Sequence, residues 1–98
     1  MTDFLVVSGI SLETINKLKD RDSLLFSLYS NKDEFIQITN YLRLIGIKNI
    51  EDILIYNPQI FLETKDNLVY SFSKYDIKEM VDKINNDYTN IDIICETI

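Results

Sequence analysis

Residues 32–47, KDEFIQITNYLRLIGI, decide the fold. Phe35, Ile38, Leu42 and Ile45 recur at intervals of three, four and three, which lines them up along one stripe of an α-helix. Asp33 and Glu34 stand in the first turn, where the positive end of the helix dipole favours carboxylates. Gly46 follows the last apolar residue, in the position where a helix commonly closes through a left-handed glycine. The segment predicts an amphipathic helix with one face in a core.

Working outward, the same punctuation recurs. Upstream, Ser11 is an N-cap flanked by the staple pair Ile10 and Ile15, so residues 12–19 form a short helix that buries Ile15 and Leu18. Residues 20–23 (DRDS) break it, and Ser23 or Asp22 caps a brief apolar turn over residues 24–29. Downstream, Asn49 caps a helix with Ile50, Ile53 and Leu54 on one side, and Asn57-Pro58 stops it, because a residue before proline avoids the helical region. Pro58 opens a turn that carries Ile60, Phe61 and Leu62 inward. Thr64 caps a helix through Leu68 and Phe72. Ser73 with Asp76 resembles a capping box, and Ile77, Met80, Val81 and Ile84 then form a stripe that ends at Asn85-Asn86. Residues 4–7 and 91–98 read as helix or strand. The expectation is an all-α domain of five or six short helices, with a small terminal strand pair as the one departure left open.

The chain has 98 residues, room for one domain, and its 46% hydrophobic and 27% charged composition is that of a folded globule. It has no His and no Trp, one Cys (Cys95), two Gly and one Pro. That removes Ser-His-Asp and Cys-His catalysis, His-based or Cys₄ metal sites and any internal disulfide. Neighbouring acids such as Asp33-Glu34 and Glu51-Asp52 point to different sides of a helix and serve its dipole. Cys95 has Glu96 beside it and no base, which suits a structural thiol with a raised pKa. Asn85, Asp87, Thr89, Ile91 and Glu96 match the spacing of a calcium loop, but Asn90 stands where the loop needs glycine. No enzyme, no cofactor and no bound metal are expected. Sixteen Ile, nine Asn and no Ala are read as a coding bias.

Sixteen acids against ten bases give a net charge of −6. Residues 1–48 are neutral, so the whole excess lies in residues 49–98. Such a field repels phosphate backbones and anionic lipid and suits a basic partner. No segment reads as a targeting signal or a membrane span, and the lone cysteine agrees with a reducing compartment, so a cytoplasmic protein is expected.

Residues 3–10 (DFLVVSGI) align with residues 40–47 (NYLRLIGI) at a period of 37, each followed by a short helix and a second apolar turn. This predicts two repeat-like units, about 3–39 and 40–86, with a tail over 87–98. Residues 41–62, YLRLIGIKNIEDILIYNPQIFL, resemble the repeat of mitochondrial transcription termination factors: an apolar helix ending in Leu-x-x-x-Gly-Ile, a short helix, then Asn-Pro and a bulky apolar pair. The resemblance implies an all-helical superhelix that binds nucleic acid through basic residues on its concave face. Here the first copy has Asp22-Ser23 at the position of the proline. Exposed repeat ends need a cap, so homodimerisation is open.

Two surfaces qualify as candidate sites. The first is acidic and aromatic: Tyr70, Tyr75, Asp76, Glu79, Asp82, Asp87 and Tyr88. Tyr75, Glu79 and Asp82 share one helical face, turned away from Ile77, Met80, Val81 and Ile84, where it is either a seat for a Lys/Arg-rich protein or plain solvated surface. The second gathers Lys17, Lys19, Arg21, Lys32, Arg43 and Lys48 as phosphate contacts, if the fold brings them together. The leading expectation is a non-enzymatic regulator that binds a basic or nucleic-acid-handling protein, a profile similar to small acidic proteins of phages and mobile elements that block nucleic-acid-binding enzymes. The alternative is a nucleic-acid-binding helical repeat.

Overall fold

Each apolar stripe needs a partner, and among the described residues only helices supply one. The computed structural model describes residues 2–98, which form α1 (Asp3–Val7), α2 (Leu12–Leu18), α3 (Asp22–Ser30), α4 (Lys32–Ile45), α5 (Ile50–Tyr56), α6 (Lys65–Phe72), α7 (Ile77–Asn86) and α8 (Ile91–Cys95). Two 3₁₀ turns, Pro58–Leu62 and Tyr88–Asn90, complete the path. No helix among these residues is long and apolar enough to cross a membrane.

The all-α class holds, but the terminal strand pair and the count of five or six helices do not. Residues 4–7 lie in α1, where Phe4, Leu5 and Ser8 are buried while Val6 and Val7 face out. A strand would put Phe4 and Val6 on the same side, whereas positions i, i+1 and i+4 share a helical face. In α8 the buried residues are Ile91 and Ile94, three apart. Two lone strands would also have been marginal in water, while short helices can dock singly on a core. The apolar turn over residues 24–29 is likewise a full helix, α3, whose N-cap is Arg21 and which has no side-chain cap from Asp22 or Ser23.

The caps at Ser11 and Thr64 stand where the sequence puts them: each hydroxyl accepts from the backbone N–H three residues on, at Thr14 and Asn67. Ser73 does not cap α7. Asp76 does, accepting from the Glu79 N–H, while the Ser73 hydroxyl donates to the Tyr70 carbonyl. Ile77 is 39% exposed, so the buried stripe of α7 is Met80, Val81 and Ile84. Burying those three side chains contributes on the order of 5 kcal/mol.

A single cluster of buried side chains runs through the molecule, with α4 at its centre against α3, α6, α7 and the Pro58–Leu62 turn. Phe35 of α4 meets Phe4 edge-on at 5.2 Å and Phe61 at 5.1 Å, so the first and second halves share one aromatic stack. The two Gly-Ile junctions are built alike. Gly9 (φ +80°) and Gly46 (φ +104°) are both left-handed, and the next residue closes back on the helix through Ile10 N to Leu5 O (3.0 Å) and Ile47 N to Leu42 O (2.9 Å).

Asparagines tie distant segments together. Asn31 donates to the carbonyls of Phe61 and Glu63, Asn49 to that of Ile84, and Asn85 to that of Gly46 while accepting from the Lys48 N–H. Asn49 thus starts α5 without capping it. These bonds fix α7 against the α4–α5 junction and so set where the acidic residues stand.

Candidate partner-binding surface

The amphipathicity of α7 orients the first of these residues. With Met80, Val81 and Ile84 in the core, Glu79 and Asp82 project into solvent. Asp76 is also exposed but spends one carboxylate oxygen, Oδ1, on the Glu79 N–H at 3.1 Å. Tyr75 is partly buried against the core. Tyr70, 65% exposed, sits at the end of α6 with the Lys74 Nζ 4.8 Å above its ring.

Asp87 and Tyr88 belong to a different corner. Asp87 Oδ1 accepts from the Thr89 N–H at 3.0 Å and the Thr89 hydroxyl at 2.7 Å, and these bonds hold its carboxyl below the ordinary value. Tyr88 meets Tyr56 of α5 with ring centroids 5.4 Å apart and planes inclined by 66°. The Tyr56 hydroxyl donates to Asp92 Oδ2 at 2.5 Å, and Asn57 Nδ2 donates to Asp92 Oδ1 at 2.9 Å. The bond to Asp92 is the main reason the Tyr56 hydroxyl is pushed up, and the charges of Asp92 and Asp87 add to it. Asn57 also reaches Cys95 Sγ at 3.3 Å, and burial with the nearby Asp92 charge pushes that thiol up to about 11. Tyr56 and Asp92 are contributors that the sequence reading missed. They are 36 residues apart, and no local spacing announces the pair.

The structure therefore divides the seven acidic and aromatic candidates into an α7 face (Asp76, Glu79, Asp82), the Tyr70–Lys74 pair, a half-buried Tyr75, and a corner built by Asp87 and Tyr88 with Tyr56 and Asp92. Among the described residues the one ion pair is Lys17–Glu13 of α2, at 3.8 Å. None of the ten carboxylates of residues 49–98 has a lysine or arginine nitrogen within 4.0 Å.

Of the six bases, Lys17, Arg43 and Lys48 line one cleft of about 590 Å³ between α2 and α5. Glu13, Glu51 and Asp52 line it too, so its formal charge cancels. Glu51 Oε1 accepts from the Ser11 N–H at 2.9 Å and the Ser11 hydroxyl at 2.6 Å. Arg21 instead donates to the Ile55 carbonyl at 3.3 Å, Lys32 lies 4.4 Å over the Tyr29 ring, and Lys19 is exposed. Among the described residues no three acids or cysteines converge as a metal site; of the calcium-loop positions, Asn85 is spent on Gly46 and Lys48, and Ile91 is inside α8.

Comparison with known proteins finds no protein-family model, no curated protein and no solved structure that matches the chain.

Proposed function

We propose that the protein is a non-enzymatic, cytoplasmic regulator that binds a basic protein through its acidic C-terminal half, the partner being one that handles nucleic acid. One observation supports this reading above others: among the described residues, the ten carboxylates of residues 49–98 have no lysine or arginine nitrogen within 4.0 Å. Unpaired carboxylates on a well-packed helix raise the encounter rate with a positive surface and set its register. Lys74, one of the four lysines of that half, is already occupied by the Tyr70 ring and the Thr97 carbonyl.

The test is capture from a low-salt lysate with and without nuclease, followed by affinity measurement on the protein recovered. A stoichiometric basic protein that survives nuclease is the expected result. Reversing two charges, Glu79→Lys with Asp82→Lys, should then weaken binding about tenfold. An affinity unchanged by the double variant would refute this placement of the interface.

A second reading, a nucleic-acid-binding helical repeat, draws on the cleft that brings Lys17, Arg43 and Lys48 together. It requires binding to DNA or RNA that falls steeply with salt and with loss of Lys17, Arg21 and Arg43. Nucleic acid captured alone, and lost on nuclease treatment, would favour it.

A further inference from the structure

Four tyrosines are exposed: Tyr29, Tyr56, Tyr70 and Tyr88. Two already hold a cation of their own chain against the ring, Lys32 on Tyr29 and Lys74 on Tyr70. Tyr56 and Tyr88 hold none and pack against each other edge to face instead, 43% and 37% exposed. Two rings that meet edge to face at 66° form a corner whose wall is the face of the ring presenting its edge, and such faces attract cations.

The corner is also held in place. Tyr56 is anchored through its hydroxyl to Asp92, Asp92 is anchored by Asn57, and Asp87 is anchored by Thr89. Among the described residues Asp87 Oδ2 accepts no hydrogen bond, and neither Asp87 nor Asp92 has a lysine or arginine nitrogen within 4.0 Å. An aromatic corner beside two anchored carboxylates matches a flat cation that stacks and forks at once. Guanidinium meets that description better than ammonium, because it is planar, weakly hydrated, always charged and able to give two parallel N–H bonds to one carboxylate.

We propose that the Tyr56–Tyr88 corner, with Asp87 and Asp92 at its rim, receives an arginine side chain of the basic partner. This rests on the partner reading above, and adds to it a second contact point just beyond the C-terminus of α7.

The probe is a capped peptide of alternating glycine and arginine, titrated into the full chain carrying ¹³C-labelled tyrosine rings and followed by NMR. The Tyr56 and Tyr88 ring signals should shift together while those of Tyr29 and Tyr70 stay in place. The same peptide with citrulline, which keeps the shape and loses the charge, should bind at least tenfold more weakly. Asp87→Asn keeps an oxygen for the Thr89 cap and removes the charge, and should weaken binding about threefold; Tyr88→Leu should do the same by removing one face. Equal shifts with the citrulline peptide, or affinity unchanged in both variants, would overturn the proposal. If the captured basic protein responds to Glu79→Lys with Asp82→Lys but the two rings ignore the arginine peptide, the receptor is wrong and the partner reading stands. If the rings take the peptide and no basic protein is ever recovered, the partner reading fails and the guanidinium site stands.

Discussion

Replacing Glu51 by Gln tests how the first helices are fastened to the rest. Glu51 stands in the first turn of α5, yet its carboxylate receives two hydrogen bonds from Ser11, 40 residues earlier, at the start of α2. Burial pulls the carboxyl upward, but the bonds from Ser11 and Thr14 and the charge of Arg43 outweigh it, so its pKa lies below the ordinary value of 4.5. Gln offers the same acceptor oxygen without the charge. Hydrogen bonds to a charged acceptor contribute about 1.5–3 kcal/mol when dry and much less near water, and Ser11 is exposed, so the charge itself is worth about 1 kcal/mol here. For a domain of this size that lowers Tm by roughly 5 °C at pH 7. A group with a depressed folded pKa stabilises above its unfolded pKa and loses that contribution as pH falls through the folded value. The gap between wild type and Glu51→Gln should therefore be full at pH 7, begin to close below about pH 5, and vanish once Glu51 itself is protonated. Thermal melts followed by circular dichroism across pH 3–7 measure it, and the other carboxylates cancel because both proteins share them. A gap that is absent at pH 7, or that persists undiminished at pH 3, would refute the reasoning.

Two further substitution and reactivity outcomes follow from the geometry. Gly46→Ala should cost about 1–2 kcal/mol in urea unfolding, because φ is +104° while the new methyl finds only ordinary contact with Val81 Cγ1 at 3.5 Å. A cost near zero would mean that the junction can re-form in another conformation. Cys95, with its thiol at about 11, should react with iodoacetamide at pH 8 roughly two orders of magnitude more slowly than an unperturbed cysteine, and its rate should keep rising beyond pH 10. A plateau near pH 9 would show the thiol to be unperturbed.

What the sequence made legible is what is local. The α4 stripe, the caps at Ser11 and Thr64, the stop before Pro58 and the glycine closures all depend on steps of no more than five residues along the chain, and all stand in the structure. Residues 4–7 and 91–98 were ambiguous because a few apolar residues fit a period of two and of 3.6 equally well; burial of Ile91 with Ile94 decides for the helix. Ile77 matched the α7 stripe by spacing, yet as the first helical residue it stays 39% exposed. The surface was less readable still. Asp76 and Asp87, candidate contacts by composition, also each spend one carboxylate oxygen on a cap that the residue pattern alone does not assign to it. The Tyr56–Tyr88 corner joins residues 32 apart, and the asparagines ascribed to coding bias include Asn31, Asn49 and Asn85, which bridge 30 or more residues. Contacts of that range are set by packing, which no local pattern encodes.

Those asparagine ties have a consequence for how the molecule meets changes in its medium. They join uncharged amides to backbone groups, so added electrolyte has little in them to screen. The field of the surplus carboxylates, by contrast, decays within about 10 Å at 0.1 M ionic strength. The asparagine ties and the surface field thus answer to different variables, and if the proposed partner binds through that field, a rise in salt should release it while leaving these ties in place.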